Sequence, residues 1–231
     1  MGQFRVLCVC PRRHEDTRKS ETVPLPKTTK FLHPLFKNTG VIILAGGKSE
    51  RMKFPKPFLE AEGKTLLEKC HDSYSCFTNR IEVVLNADFS RGKWKNIFEK
   101  LNRKMHITLN PHPEYGRFYS IRLGLQKMNS KAFCFIQNID NPVSPEIILA
   151  LASNKNLQGY SVPVIDGQSG HPVLISRTIM NALLREKSRT QILSDFLKQY
   201  PRMNIPVSEE KILLNLNTEK DFASYLTLLE Q

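Results

Sequence analysis

The sequence contains no run of apolar residues close to the ~18 that a helix needs to cross a bilayer, so we expect no membrane-spanning segment. The apolar patch at the N-terminus is short and contains Arg5, which does not fit a secretory signal, and we expect a cytosolic protein. The five cysteines are an odd number without a C-x-x-C pair. This spacing argues against a disulfide framework and against a structural zinc site.

Two common phosphate-binding motifs are absent as well. The dinucleotide-binding pattern G-x-G-x-x-G fails because Gly46 and Gly47 are adjacent and the next glycine is Gly63. Gly47-Lys48-Ser49 has the letters that end a P-loop, but the first glycine of that loop would stand where this chain has Ile42. Both motifs are therefore excluded.

Acidic residues are outnumbered, and the formal net charge is +12. The sequence has no long cationic block and no interleaving of aromatic and basic residues, so we favour a solvated basic surface that attracts small anions over a nucleic-acid partner. Residues 1–38 contain eight Lys/Arg, four prolines and little periodicity. We interpret them as a poorly ordered basic extension, followed by one folded domain over residues 39–231.

The remaining chain alternates between apolar β-branched runs and helical patterns, which predicts an α/β domain with a mostly parallel sheet. Ser120 is predicted to cap a helix running to about Met128, and Ser144 to cap a helix that starts at Pro145. Strands are predicted at 41–44, 81–85, 106–109, 132–136, 160–165, 172–175 and 212–216. Further helices are predicted at 65–77, 93–102, 177–186, 189–199 and from Thr218 onward.

The first predicted strand, Val41 to Leu44, breaks into a loop that is suited to a polyphosphate. The adjacent glycines Gly46 and Gly47 allow backbone N–H groups to turn toward a ligand, and Lys48, Arg51 and Lys56 add positive charge. This combination predicts a nucleoside triphosphate site. For Arg51 the alternative is a surface ion pair with Glu50 or Glu62.

Polar residues follow two other strands, and ligands of parallel sheets bind beyond the carboxyl ends of strands. Asn86-Ala87-Asp88 follows one strand, and Asp140 follows the most hydrophobic one. A carboxylate at that position is suited to Mg²⁺, which takes oxygen ligands and bridges to phosphates. The alternative is an aspartate that only stabilises its loop.

Lys56 and His171 are the other candidates for chemistry. Lys56 stands between Pro55 and Pro57, whose rings stiffen the backbone, so its cation is placed to stabilise charge on an α-phosphate. The alternative is an ordinary surface lysine. Gly170-His171-Pro172 lies in a turn-rich stretch, where His171 either contacts an acceptor substrate or has a structural role.

These segments resemble a known family. Leu44-Ala-Gly-Gly-Lys-Ser-Glu-Arg-Met52, followed by Pro55-Lys56, is similar to the signature L-A-[GA]-G-x-S-x-R-M-G-x-x-K of nucleotidyltransferases of the molybdenum-cofactor type. The resemblance continues through residues 116–125, through Asn138-Ile-Asp-Asn-Pro142, where the family usually has G-D-Q-P, and through Gly170-His-Pro172. It covers residues 40–228 in order.

The resemblance implies a three-layer α/β/α sandwich with a mostly parallel sheet, the nucleotide-diphospho-sugar transferase fold. It also implies Mg²⁺-dependent transfer of NMP from an NTP to a phosphate-bearing acceptor, with release of pyrophosphate. The residues that it assigns are Leu44, Ala45, Gly46, Gly47, Lys48, Ser49 and Ser120 for the nucleotide, Arg51 and Lys56 for catalysis, Asp140 for the metal, and Gly170 and His171 for the acceptor.

Three positions depart from the family pattern. Lys53 stands where the family has glycine, and Asn215 and Asn217 replace the aspartates of a late D-x-D-T motif. Gly46 is typical of guanylyl-transferring members, whereas Gly170-His171-Pro172 is typical of cytidylyl-transferring ones. Our first expectation is CTP as donor and a molybdopterin-type cofactor as acceptor. The alternatives are a GTP-dependent guanylyltransferase, a sugar-phosphate nucleotidyltransferase, and a nucleotide-binding regulator without turnover.

Overall fold

The computed structural model describes residues 33–47, 51–52, 54–128, 131–186, 188 and 191–230. The chain divides into two compact units, 1–30 and 31–231, and the first lies outside the described residues. No helix in these ranges is long and apolar enough to cross a membrane. The strands are Thr39–Ala45 (β1), Glu60–Ala61 (β2), Lys64–Thr65 (β3), Ile81–Asn86 (β4), His106–Asn110 (β5), Phe133–Asn138 (β6), Tyr160–Ile165 (β7), Gln168–Ser169 (β8), Val173–Ser176 (β9) and Arg202–Pro206 (β10).

Seven α-helices accompany these strands in the described part of the chain. They are Leu66–Ser75 (α1), Lys95–Asn102 (α2), Gly116–Leu125 (α3), Pro145–Ser153 (α4), Arg177–Arg185 (α5), Leu193–Leu197 (α6) and Glu219–Leu229 (α7). Short 3-10 turns lie at Pro34–Phe36, Lys56–Phe58, Ala87–Ser90, Gly92–Trp94, Pro113–Tyr115 and Glu210–Leu213.

The main sheet has the order β10-β7-β9-β6-β1-β4-β5, with β8 paired to β7, and β2 and β3 form a separate hairpin. Strand β1 runs parallel to both β4 and β6, and β4 runs parallel to β5. Strand β9 is antiparallel to its two neighbours, β6 and β7. The carboxyl ends of β1, β4, β5 and β6 therefore meet at one edge of the sheet, as the sequence predicted.

Both faces of the sheet are covered by helices. Along β1, Val41 and Ile43 pack into one hydrophobic cluster, while Ile42 and Leu44 pack into a second. The first cluster contains residues of α1, α2 and α4, and the second contains residues of α3, α5 and α6. Because successive side chains of a strand point to opposite faces, the two clusters lie on opposite sides of the sheet. This confirms the three-layer α/β/α sandwich.

Several helix starts follow from local sequence as predicted. The hydroxyl of Thr65 accepts from the N–H of Glu68, whose carboxylate accepts from the N–H of Thr65, and this capping box starts α1. Ser144 caps α4, and Pro145 occupies its first turn. Thr218 starts α7 with a second capping box.

Two of the predicted elements are wrong. Ser120 does not begin a helix, because α3 already starts at Gly116 and holds Ser120 in its interior. Residues 212–216 are not a strand: residues 212 and 213 end a 3-10 turn and residues 214–216 have no regular structure, while Ile212 and Leu216 are buried in two different clusters. The sequence prediction also missed β10 at the sheet edge, since that strand exposes most of its residues and lacks the alternation of a half-buried strand.

Candidate active site

One cavity of about 640 Å³ lies at the carboxyl edge of the sheet, beyond β1 and β6. It contains most of the residues that the sequence assigned to the nucleotide, the phosphates and the metal. Its lining consists of Leu44, Ala45, Gly46, Gly47, Arg51, Lys56, Pro57, Pro113, Glu114, Gly116, Arg117, Ser120, Asn138, Ile139, Asp140 and Asn217. Folding thus brings together residues that are as much as 173 positions apart in the chain, from Leu44 to Asn217.

The Lys56 ammonium group is held between two oxygen atoms. It donates to Oδ2 of Asp140 at 3.1 Å and to Oδ1 of Asn217 at 2.9 Å. Only 12% of the Lys56 side chain and 16% of the Asp140 side chain are exposed. Lys56 begins a 3-10 turn directly after Pro55, and Pro57 is buried. The backbone and the side chain of Lys56 are both constrained, in agreement with the prediction from its two flanking prolines.

Asp140 lies in the turn that follows β6, and backbone hydrogen bonds join this turn to β1 and to the segment that precedes α7. The N–H of Ile139 donates to the carbonyl of Leu44 at 3.1 Å, and the N–H of Leu216 donates to the carbonyl of Asp140 at 2.9 Å. The first bond connects the turn to the end of β1, two residues before Gly46, and the second connects it to residues 214–217. Asn217, which the sequence marked only as a departure from a family motif, is therefore part of the site.

Gly46 forms the wall of the cavity next to Ser120. A methyl group on Gly46 would lie 3.1 Å from Ser120 Oγ and 3.5 Å from Asn110 Nδ2. Asn110 is fully buried, and its Nδ2 donates to Ser120 Oγ at 3.0 Å. The Asn110 Oδ1 accepts from the N–H of His112 at 2.8 Å. Asn110 thus orients Ser120, and the sequence analysis did not identify it, although its place at the end of β5 was a usable signal.

Gly170 and His171 line a second cavity of about 560 Å³ rather than the first. The two cavities share Gly116 and Arg117 at the start of α3. The His171 ring nitrogens lie 3.1 and 3.3 Å from Asn138 Nδ2. Burial and the charge of Arg117 lower the pKa of His171 to about 4 against the opposing effect of Asp140, so the imidazole is neutral at pH 7. A methyl group on Gly170 would lie 2.3 Å from the carbonyl oxygen of Ile212, which explains the glycine.

Other predicted positions fall elsewhere. Lys48, Ser49 and Lys53 lie outside the described residues. Asn86 is the last residue of β4, and its side chain accepts from the N–H of Asp88 at 2.9 Å and caps a 3-10 turn. Residues 86–88 do not line the cavity, so their position after a strand has a structural cause.

The residues around Lys56 fit a magnesium ion that is also held by substrate phosphates. Within the described ranges, no group of three or more His, Cys, Asp or Glu side chains is arranged to hold a metal ion. The cavity instead offers the Asp140 carboxylate, the Asn217 amide oxygen and the buried Asn138 Oδ1, for which the structure shows no hydrogen-bond donor. Mg²⁺ typically takes one or two carboxylates plus phosphate oxygens and water, which this donor set permits.

The fold and the site place the chain among the nucleotidyltransferases. A family model described as "MobA-like NTP transferase domain" matches residues 41–203, and the chain belongs to this family. Its curated relatives include the molybdenum cofactor cytidylyltransferase of Escherichia coli, 26% identical over 184 residues that cover 78% of this chain and 92% of that protein. They also include a probable molybdenum cofactor guanylyltransferase of Natranaerobius thermophilus, 27% identical over 203 residues that cover 80% of this chain and 93% of that protein.

A third relative has a different name, 2-C-methyl-D-erythritol 4-phosphate cytidylyltransferase of Phocaeicola vulgatus. It is 29% identical over 133 residues, 56% of this chain and 60% of that protein. Among solved structures, molybdopterin-guanine dinucleotide biosynthesis protein A of Archaeoglobus fulgidus aligns with a TM-score of 0.63 at 20% identity over 83% of this chain and 98% of that one. The structural similarity confirms the predicted fold.

Proposed function

We propose that the protein transfers NMP from an NTP, with CTP as the first candidate, to a phosphate-bearing acceptor of the molybdopterin type, releasing pyrophosphate. One observation carries this proposal. In a chain of the NTP transferase family, the Lys56 ammonium is held by Asp140 and Asn217 in the cavity that the glycine loop borders. A fixed cation beside a backbone anion nest is suited to a triphosphate.

The reaction needs positioning and charge stabilisation more than acid–base chemistry. An oxygen of the acceptor phosphate, already ionised, attacks the α-phosphorus of the NTP in line. The bond between the α-phosphorus and the bridging oxygen breaks, and pyrophosphate leaves with the electron pair of that bond. Lys56 stabilises the charge that develops at the α-phosphate, and Arg51, which lines the same cavity, holds phosphate oxygens.

Asp140 would hold Mg²⁺ together with the Asn217 amide oxygen and the phosphates of the nucleotide. A bound magnesium ion supplies positive charge that neutralises the phosphate oxygens. The described cavity wall offers two carboxylates, Asp140 beside Lys56 and Glu114, and no group of three, so we expect metal and nucleotide to bind together rather than metal alone.

The nucleotide would lie along Leu44, Ala45, Gly46 and Gly47, with Ser120 near the nucleoside and Lys48 and Ser49 on the loop that follows. CTP is favoured by the resemblance of Gly170-His171-Pro172 to cytidylyl-transferring enzymes. GTP is the alternative, since Gly46 leaves open the space beside Ser120 Oγ that an alanine methyl would narrow.

The second cavity supports a place for the acceptor. It adjoins the first at Gly116 and Arg117, so an acceptor phosphate at Arg117 would reach the nucleotide cavity. Its wall combines apolar side chains with the cationic residues Lys198 and Arg202, which suits an acceptor with both a flat organic part and anionic groups. Gly170 and the neutral His171 would contact that acceptor.

Pyrophosphate release with each of the four NTPs, combined with molybdopterin and with 2-C-methyl-D-erythritol 4-phosphate, tests the proposal. Release with CTP and molybdopterin is the expected result. Release only with methylerythritol phosphate would favour the sugar-phosphate alternative that one relative's name suggests. NTP binding without any release would favour a regulator, which the replacement of family aspartates by Asn215 and Asn217 also motivates.

A further inference from the structure

The side chain of Asn141 joins two segments of the site. The residue is 2% exposed, and each polar atom of its amide has a partner. Its Nδ2 donates to the carbonyl of Leu214 at 2.7 Å and to Oδ1 of Asn215 at 2.9 Å. Its Oδ1 accepts from Asn138 Nδ2 at 2.8 Å. One buried amide thus links the turn after β6 to the segment that precedes α7.

The backbone of the same turn is fixed to the core by Gln137. Its Nε2 donates to the carbonyl oxygens of Asn138 and Asn141, at 2.7 Å in both cases. Its Oε1 accepts from the hydroxyl of Tyr74 on α1 at 2.9 Å. Both Gln137 and Tyr74 are fully buried. The turn is therefore anchored, and Asn141 extends that anchoring to residues 214–217.

These two segments carry the two residues that hold Lys56. Asp140 precedes Asn141 in the turn, and Asn217 follows the residues that Asn141 contacts. In the described part of the chain, the hydrogen bonds between residues 138–142 and 214–217 are those of the Asn141 amide and the bond from the N–H of Leu216 to the carbonyl of Asp140. Asn141 itself does not line the nucleotide cavity.

We infer that Asn141 is a positioning residue, which sets the separation of Asp140 from Asn217 and thereby the place of the Lys56 ammonium group. This inference rests on the proposed function. Misplacing a catalytic group by about 1 Å lowers rates by about 10²-fold. The effect should therefore appear mainly in kcat, because Asn141 makes no side-chain hydrogen bond to the glycine loop or to Ser120, which are expected to contact the nucleotide.

Substitutions of Asn141 test the inference in the pyrophosphate-release assay. Asn141→Ala removes all three bonds and is expected to lower kcat by about 10- to 100-fold, with KM for NTP within about threefold of the wild-type value. Asn141→Asp places a carboxylate against the oxygens of Leu214 and Asn215 and is expected to be as impaired. Asn141→Gln keeps an amide, and the family motif G-D-Q-P, which residues 139–142 resemble, has glutamine at this position. We therefore expect kcat within about fivefold of wild type.

Ser161→Ala is the matched control, because Ser161 is also fully buried and its Oγ donates to the carbonyl of Asn154 at 2.8 Å. This variant loses a buried hydrogen bond outside both cavities and should keep the wild-type kcat, whatever its change in Tm. Wild-type kcat per folded molecule in Asn141→Ala, or an equal loss in Ser161→Ala, would overturn the inference.

A second measurement does not depend on turnover. The amide of Leu216 donates to the carbonyl of Asp140, so its hydrogen exchange reports whether the two segments stay together. We expect exchange at Leu216 to be at least about tenfold faster in Asn141→Ala than in Ser161→Ala. If the wild-type protein releases no pyrophosphate with any substrate pair, the proposed function fails, and unchanged exchange at Leu216 would then overturn the positioning role separately.

Discussion

Replacing Lys56 with alanine is expected to lower kcat by about 10²- to 10³-fold while KM for the NTP changes by less than about threefold. The Lys56 ammonium is held by two groups of the protein itself, the Asp140 carboxylate and the Asn217 amide oxygen. Its place is therefore set by the protein and not by the ground-state nucleotide. A group preorganised in this way acts mainly where charge develops in the transition state.

The magnitude follows from the distances at the site. At 3.1 Å and an effective dielectric constant of about 20, the attraction between Lys56 and Asp140 is about 5 kcal/mol before desolvation is counted. This attraction keeps the ammonium in place, because only 12% of the Lys56 side chain is exposed. Removing one such preorganised group typically costs about 3–4 kcal/mol in the transition state, which corresponds to the expected loss in kcat.

Steady-state pyrophosphate release at varied NTP and saturating acceptor separates kcat from KM. Lys64→Ala is the control, because Lys64 is 58% exposed, pairs with Asp72 and does not line the nucleotide cavity. It should behave as wild type. Lys56→Arg keeps the charge but changes its shape, so we expect an intermediate kcat. A higher KM at wild-type kcat in Lys56→Ala would refute the assigned role.

Asp140→Asn preserves size but removes the charge, and is expected to reduce kcat at least about 100-fold while the protein still folds; full activity would place the metal elsewhere. Asn217→Asp adds a carboxylate within reach of Lys56 and should lower the Mg²⁺ concentration needed for half-maximal turnover, which an unchanged titration would contradict. Acidification should destabilise the fold in two pH ranges, and urea unfolding at several pH values measures both. Folding lowers the pKa of His171 from 6.5 to about 4, so the free energy of unfolding should fall by up to about 3 kcal/mol as the pH is lowered from 6.5 to 4. His171→Gln should remove this loss. Burial alone would raise the pKa of Glu68, but the Lys104 and Thr65 hydrogen bonds lower it from 4.5 to about 2, so a further and smaller loss of stability follows as the pH falls from 4.5 to about 2, absent in Glu68→Gln.

The alternation of strands and helices could be predicted because it depends on local patterns. The buried strands β1, β4 and β6 are mostly apolar, with Glu82 as the one charged residue among them, and the starts of α1 and α4 carry capping residues. Two predictions failed where burial was set by tertiary contacts. The apolar residues 212–216 are buried without sheet pairing, and β10 pairs with β7 although most of its residues are exposed.

The candidate site was predictable in part for a similar reason. Lys56, Arg51 and Asp140 could be named because charged residues after buried strands point to the ligand edge of a parallel sheet. Asn138 and Asn141 were not assigned roles, because a neutral amide gives little signal until its partners are known, and Asn110 was missed although it ends a strand at the ligand edge of the sheet. The roles of Asn138 and Asn141 depend on partners far away in the chain, His171 for Asn138 and Leu214 for Asn141.

The sequence by itself determined the class of fold and the loop from Val41 to Lys56, since strand periodicity, adjacent glycines and flanking prolines act over a few residues. Only the tertiary structure decided which oxygens hold the Lys56 ammonium. Asp140 and Asn217 lie 84 and 161 positions away from it, and no local pattern relates them. Their meeting depends on parallel pairing of β1 with β6 and on the docking of residues 214–217 against the turn after β6, both of which are properties of the assembled sheet.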